Sequence, residues 1–283
     1  MATPMTADQQ ISMLKKWGIP YKEYKNWRTN NRNHKGTWGP VNGFMVHHTG
    51  SDSLDQRELL YSGHSALPGP LSQWGLDQQG VIHLIGNGRC NHAGLGDLDV
   101  FNAVRAESYV SRPPIPNQTN KDGNPHFYGL EIWYDGSHVM TTKQRATLVR
   151  LGAGIIDFHE KDSWTEKSII AHGEWQPGKW DPGYKSGKLM DMPALRVEIK
   201  NEKLEKEEVP PVTTKPETKT KTYNDVWHID AATPPEGHAT KTNPFWVPMS
   251  ILRGAYEMAE LAMKYALEAK KNTDEILKIL KAK

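Results

Sequence analysis

The sequence predicts an α/β fold in which a mixed central β-sheet is flanked by helices. Short, largely apolar runs at 43–47, 127–133 and 168–172 are typical of buried strands. Residues 141–160 repeat their apolar side chains at helical spacing. Because strand and helix patterns alternate along the chain, we expect helices to cover the sheet.

The order of elements follows from the same patterns. Residues 7–17 predict a helix because Ile11, Leu14 and Trp17 fall on one stripe. The polar residues 26–39 then predict a loop. The remaining predictions are a strand at 43–47, a helix at 55–61, a hairpin at 72–84, a long surface loop at 91–124, a strand at 127–133, a helix at 141–160 and a strand at 168–172.

A change of composition near residue 200 divides the chain into three predicted regions. Residues 1–200 form the folded domain, and residues 201–222, which are rich in Pro, Thr, Lys and Glu, form a linker with too little apolar surface to fold. Residues 223–283 form a helical C-terminal region. Its apolar residues have heptad-like spacing, which fits either a helix packed in its own small domain or self-association through a coiled coil.

Composition and charge narrow the possible partners. The net charge is +2 and there is no arginine-rich stripe, so we expect no nucleic-acid partner. No run approaches the ~20 apolar residues of a membrane span, and we expect no membrane partner. The single cysteine, Cys90, excludes an intrachain disulfide. The first residues lack the pattern of a secretory signal, which favours a protein made in the cytoplasm.

The most informative segment is the run from His172 to Gly183, in which His172 and Asp181 are separated by turns containing proline and glycine. Upstream, His47 and His48 follow an apolar run. Catalytic zinc sites use three protein ligands and leave the fourth position to water. Adjacent strands lie about 4.8 Å apart, so histidines at two strand ends can converge on one ion. The pattern therefore indicates a hydrolytic zinc site.

Five segments in this order resemble the zinc-dependent N-acetylmuramoyl-L-alanine amidase family, type 2. That family shares its fold with peptidoglycan recognition proteins and includes many bacteriophage endolysins. The segments are Val46-His-His-Thr49, Trp74-Gly-Leu-Asp-Gln-Gln-Gly80 with Val81-Ile-His83, Asn91-His-Ala-Gly94, Gly129-Leu-Glu-Ile132, and Ala171-His172 with Lys179 and Asp181-Pro-Gly183. The resemblance covers roughly residues 40–185.

The resemblance implies specific roles in cleaving the bond between N-acetylmuramic acid and L-alanine of peptidoglycan. His47, His172 and Asp181 would bind Zn²⁺, Glu131 would be the general base, and Lys179 would stabilise the oxyanion. These roles agree with the chemistry of a carboxylate beside an activated water and of an ammonium beside a developing negative charge. Family members often have one more residue before the aspartate, which affects the place of Lys179. Some also use a hairpin tyrosine, where this chain has Leu71-Ser72-Gln73.

Each of these assignments has a second interpretation. His48 is expected to be a packing or groove-lining histidine, with the alternative that it is the ligand in place of His47. The other open alternatives are Glu131 as an ion-paired strand residue, Lys179 as a solvated loop charge, and His92 as either a groove-lining or a structural histidine. Two other functions also fit the pattern: a non-catalytic peptidoglycan-binding module, and a zinc endopeptidase that cuts within the wall peptides. In the leading interpretation the enzyme remains in the host bacterial cytoplasm and reaches the cell wall after release at lysis.

Overall fold

The computed structural model describes residues 2–208. The chain divides into two units, Met1–Pro211 and Val212–Lys283, and the described residues belong to the first unit. Most of the predicted linker and the whole predicted helical region at 223–283 lie outside the described residues. Within residues 2–208, no helix has the length and apolar character needed to cross a membrane.

Twelve strands and six α-helices make up the described part of the chain. The strands are β1 (Tyr21–Glu23), β2 (Gly43–His48), β3 (Gly63–His64), β4 (Leu67–Pro68), β5 (Trp74–Leu76), β6 (Ile82–Leu84), β7 (Leu95–Gly96), β8 (Lys121–Asp122), β9 (Phe127–Ile132), β10 (Ile169–Ala171), β11 (Gly183–Lys185) and β12 (Lys188–Leu189). The helices are α1 (Ala7–Lys16), α2 (Arg57–Ser62), α3 (Leu98–Arg105), α4 (Thr142–Phe158), α5 (His172–Trp175) and α6 (Met192–Glu208).

A six-stranded mixed sheet lies at the centre, in the order β1-β6-β5-β9-β2-β10. Strand β2 pairs in parallel with both β9 and β10, and β5 pairs in parallel with β9. Strand β6 runs antiparallel to β5, as expected for the predicted hairpin. The carboxyl ends of β10, β2, β9 and β5 therefore meet at one edge of the sheet.

The two faces of the sheet are covered by different helices. Along β9, side chains alternate between the faces, as in any strand. Tyr128, Leu130 and Ile132 belong to a core shared with residues of α1, α4 and α6, whereas Phe127 belongs to a second cluster with residues of α3 and with Trp175 of α5. The predicted fold class, a mixed sheet flanked by helices, is confirmed.

Helix α4 illustrates how local sequence sets an element. Thr141 and Gln144 form a reciprocal capping box, in which the Thr141 hydroxyl accepts from the Gln144 N–H at 3.1 Å and the Gln144 amide oxygen accepts from the Thr141 N–H at 2.9 Å. Such a box satisfies two backbone donors at a helix start. The helix ends at Phe158, so the prediction of a helix at 141–160 is confirmed within two residues at each end.

Two predictions about where elements begin and end are wrong. Helix α3 interrupts the loop predicted at 91–124, because Asp97 caps its start and four apolar residues of this short helix are buried. At eight residues, this helix is too short for a clear periodic pattern. Helix α6 continues through the predicted boundary at residue 200 as far as Glu208, so residues 201–208 are helical rather than linker. The Glu and Lys residues of this segment are good helix formers and extend a helix anchored by Leu195 and Ile199.

Candidate metal centre

The sheet register places three of the candidate residues side by side. His47 and Glu131 are directly paired between β2 and β9. Val46 is paired with Ala171 of β10, so His172 follows at the same level as His47. In open α/β sheets, ligands bind at the carboxyl ends of the strands. Residues that are up to 125 positions apart in sequence thus meet at this edge.

His47, His172 and Asp181 present one potential ligand atom each to a common point. His47 Nδ1 lies 3.1 Å from His172 Nδ1 and 3.1 Å from Asp181 Oδ2, and His172 Nδ1 lies 3.0 Å from Asp181 Oδ2. Zinc bonds of about 2.0–2.1 Å in a tetrahedral arrangement separate ligand atoms by roughly 3.3 Å. Two imidazoles and a carboxylate at this spacing fit a zinc ion.

The loop that carries Asp181 is held at several backbone positions. The Asp181 carbonyl accepts from the Gly173 N–H at 2.9 Å, which closes the loop onto the start of α5. At Gly183, the N–H donates to His48 Nδ1 at 3.0 Å and the carbonyl accepts from the Tyr134 hydroxyl at 2.6 Å. These contacts place the Asp181 carboxylate opposite the two histidines.

His48 has a different position from its neighbour. Its ring contacts Trp180 and Tyr134 with centroid distances of 4.6 and 5.4 Å. Its Nδ1 accepts the hydrogen bond from the Gly183 N–H. Of the two alternatives that the His47-His48 pair leaves open, the structure places His47 in the ligand group and His48 under the Asp181 loop.

The electrostatics of the group suit metal binding. Burial lowers the pKa of His47 to about 4, although Asp181 opposes the shift. Burial also lowers the pKa of His92 well below its ordinary value. For Asp181, burial raises the pKa, but the close contacts with His172 and His47 outweigh it and hold the pKa well below its usual range. A neutral imidazole and an ionised carboxylate are the forms that bind a metal.

Glu131 lies beside this group with one oxygen buried. Its Oε2 has no hydrogen-bond partner among residues 2–208. Burial, and to a smaller extent the Asp181 charge, raises the pKa of Glu131 well above its ordinary value, while Lys179 lowers it. The alternative of an ion-paired strand residue is not what the structure shows, because no ion pair of Glu131 occurs in the described part of the chain. A buried carboxyl group of raised pKa is typical of a proton-transfer residue.

Lys179 is exposed and lines the same groove. Its ammonium makes no hydrogen bond or ion pair within residues 2–208. Its charge nevertheless acts on the site, because it lowers the pKa of both His47 and Glu131. Its position, exposed to solvent and in the groove lining, fits both interpretations of this residue, catalytic and solvated.

The site opens into a groove of about 580 Å³. Its lining combines apolar and polar side chains. The apolar ones are Leu59, Leu60, Leu67 and Leu71, and the polar ones include Asn91, His92, His172, Lys179 and Asp181. His92 is therefore groove-lining, and it is also bonded to His47, with 3.0 Å between His92 Nδ1 and His47 Nε2.

Several supporting residues have no signal in the sequence. Gln176 bonds His172 Nε2 at 3.1 Å, and Asn124 accepts hydrogen bonds from the backbone of residues 92–94. Glu174 and Arg196 form a buried, bidentate ion pair next to His172. Only the Gln176 contact is local, since it spans one helical turn from His172.

Fold and site together define an α/β protein with a candidate metal centre in an open groove at the carboxyl edge of its sheet. The chain belongs to the N-acetylmuramoyl-L-alanine amidase family, whose model matches residues 37–184, just over half of the sequence. No curated protein sequence matches the chain.

Several solved structures are similar to this one. The endolysin N-acetylmuramoyl-L-alanine amidase LysCS from Clostridium intestinale is 16% identical with a TM-score of 0.38, over 59% of this chain and 88% of its own. A selenomethionine AmpD structure is 14% identical with a TM-score of 0.42, over 65% and 96% of the two chains. The Drosophila peptidoglycan recognition protein SA is 13% identical with a TM-score of 0.36, over 59% and 89%.

Proposed function

We propose that this protein is a zinc-dependent amidase that cleaves the amide bond between N-acetylmuramic acid and L-alanine of the peptidoglycan stem. The observation that carries the proposal is the convergence of His47, His172 and Asp181 beside Glu131, in a member of this amidase family. All three candidate ligands are present, which favours a catalytic protein over a module that only binds the wall.

The residues of the chain divide the chemistry between them. A zinc ion held by His47, His172 and Asp181 would supply polarisation of the scissile carbonyl and a water that is more nucleophilic near neutral pH. Glu131 takes a proton from the attacking water and gives it to the leaving amine of L-alanine, since its carboxyl group lines the groove beside the candidate ligands without being one of them. Lys179 offsets negative charge that develops on the former carbonyl oxygen. The four leucines in the groove lining offer apolar contacts to the substrate.

Digestion of purified cell walls tests this proposal. Wild-type protein, protein stripped of metal with a chelator, and stripped protein with zinc restored are compared, and products are identified by mass spectrometry. The proposal expects free L-alanine N-termini, loss of activity on chelation and recovery with zinc. New N-termini elsewhere in the peptide indicate an endopeptidase, and binding without cleavage or zinc indicates a recognition module.

A matched pair of variants assigns the residues. His172→Ala removes a proposed ligand, so zinc content and cleavage are both expected to fall. His34→Ala removes an exposed histidine of the short turn at Asn33–Lys35, outside the groove lining, and serves as the control, with zinc content and cleavage unchanged. Equal zinc content in His172→Ala and wild type would contradict the proposed ligand set.

We also propose that the protein acts as a bacteriophage endolysin, reaching the wall only when the host membrane is breached. The basis is the family resemblance. Expression in a bacterial cytoplasm is expected to leave cells intact until the membrane is permeabilised, after which turbidity falls. Lysis of cells whose membrane is intact would contradict this role.

For residues 223–283 we propose wall targeting or self-association, because the apolar seam in their sequence fits a coiled coil. Tethering several catalytic domains would raise avidity for a polymeric wall. Sedimentation velocity of the full chain, beside a variant with serine at Ile251, Met258 and Tyr265, tests self-association. If the wild-type protein is a monomer and binds cell walls no more strongly than the variant does, both roles are ruled out.

A further inference from the structure

A continuous hydrogen-bonded chain leads from the backbone to the candidate metal ligand His47. His92 Nε2 lies 3.0 Å from the Phe127 carbonyl oxygen, and His92 Nδ1 lies 3.0 Å from His47 Nε2. The rings of His47 and His92 are nearly perpendicular, with an interplanar angle of 89°. Both nitrogens of His92 are therefore used, one by the backbone and one by the proposed ligand.

The direction of this chain is fixed at its backbone end. A carbonyl oxygen only accepts, so the Phe127 carbonyl requires a proton on His92 Nε2. A neutral imidazole carries one N–H, and His92 is buried with no carboxylate of the described residues within hydrogen-bond distance to hold a second proton, so its Nδ1 holds a lone pair. His47 Nε2 must then donate to His92 Nδ1. The remaining nitrogen of His47, Nδ1, is left with its lone pair toward His172 and Asp181.

His172 is held in the matching form by a separate contact. Its Nε2 lies 3.1 Å from the Gln176 amide oxygen, which also only accepts, so Nε2 donates, and in the neutral ring this leaves Nδ1 bare. Three lone-pair donors without an intervening proton then lie 3.0–3.1 Å apart. Such an arrangement is stable when a cation lies among them.

We propose that His92 is a positioning residue, which holds His47 as the Nε2–H tautomer and so keeps its Nδ1 free to bind zinc. The use of zinc rests on the proposed function, whereas the tautomer does not. Without His92, the acceptors left for the His47 proton are Asp181 Oδ2 and His172 Nδ1, each 3.1 Å from His47 Nδ1. The proton would then occupy the nitrogen that the metal needs.

The surroundings of His92 hold it in this role. Asn124 Oδ1 accepts from the backbone N–H groups of His92 and Ala93, each at 3.0 Å. On the strand below, a Cβ at Gly129 would lie only 2.7 Å from His92 Nδ1. The His92 ring fits against the strand because Gly129 has no side chain. Gly129→Ala therefore shifts His92 without replacing it.

Four variants of the full-length protein test the proposal by zinc affinity, measured in competition with a chromophoric chelator. His92→Leu removes the acceptor, and the zinc affinity is expected to fall by about 10–100-fold, the usual effect of losing such a partner. Gly129→Ala is expected to weaken binding in the same direction. His92→Gln, whose amide both donates and accepts, is expected to recover much of the loss.

His159→Leu is the matched control. His159 is as fully buried as His92 and bonds through both ring nitrogens, to Tyr128 and Asp162, but it belongs to the other face of the sheet. Its loss is expected to lower the melting temperature without changing zinc affinity. If this control weakens zinc binding as much as His92→Leu does, or if His92→Leu binds zinc like wild type, the proposal is overturned.

Nitrogen-15 spectra of the imidazole groups read the proton position directly. The proposal expects the shared proton on His47 Nε2, with coupling across the hydrogen bond to His92 Nδ1. A proton found on His92 Nδ1 overturns it. These spectra and the zinc titration do not require wall digestion. If digestion fails while the hydrogen bond between His47 and His92 and its effect on zinc affinity are as proposed, only the proposed substrate is refuted.

Discussion

Breaking the buried ion pair between Glu174 and Arg196 should be the most damaging change that leaves every candidate site residue in place. Glu174 lies two residues after His172, and its Oε2 accepts from the Ala171 N–H at 3.2 Å. Arg196 of α6 binds both carboxylate oxygens, at 2.9 and 2.7 Å. The side chains of Arg196 and Glu174 are 4% and 6% exposed, so the pair is almost completely removed from water.

The magnitude follows from what Arg196→Met leaves behind. The Glu174 carboxylate keeps only the Ala171 N–H, and the carbonyls of Ile169 and Ser111 lose donors at 2.9 and 2.8 Å. Removing one partner of a buried pair costs about 3–5 kcal/mol. At about 2–4 °C per kcal/mol for a domain of this size, the melting temperature should fall by roughly 6–20 °C. Replacing Glu174 as well, with Gln, removes the uncompensated charge and should recover part of this loss.

Urea unfolding of the full chain, followed by tryptophan fluorescence and circular dichroism, measures these free energies. Zinc affinity of the surviving folded protein should also fall, because helix α5 begins at His172. The reasoning is refuted if Arg196→Met costs less than about 1 kcal/mol, the range of an exposed pair. It is equally refuted if the Glu174→Gln/Arg196→Met double variant is as unstable as the sum of the single variants, since that leaves no coupling between the two side chains.

Three further predictions concern the site and the core. Glu131→Gln should lower kcat for wall cleavage by about 10²–10⁴-fold with zinc content unchanged, and loss of zinc in this variant would make Glu131 a ligand instead. Burial lowers the pKa of His159 below 6.5, so below that pH the unfolded chain takes up a proton that the folded protein excludes, and the free energy of unfolding falls with acidification. The urea midpoint should therefore drop more steeply from pH 7.5 to 5 in wild type than in His159→Gln. Parallel curves of midpoint against pH would contradict this. Gly136→Ala should destabilise the protein and weaken zinc binding, because Gly136 has φ = 77° and an added Cβ would overlap the His48 ring beneath the Asp181 loop. If the variant melts and binds zinc like the wild type, the loop does not depend on this contact.

The sequence by itself determined the chemistry that this protein can carry. The ligand types are read from short segments, because His47 ends an apolar run and only eight residues separate His172 from Asp181. The strands that deliver them are recognisable for the same reason, since each is a local run of buried side chains. Helix α4 was also readable, because its capping box and its apolar face lie within one continuous segment.

Only the tertiary structure decided how those residues are used. Whether His47 or His48 faces the candidate metal depends on the pairing of β2 with β9 and β10, which no local pattern encodes. The bond from Phe127 through His92 to His47 joins three separate segments, and Arg196 reaches Glu174 across 22 residues. Side chains close in sequence are predictable because the backbone period fixes their relative placement. Contacts across the sheet depend on register and on packing between distant helices, and these exist only once the whole domain has folded.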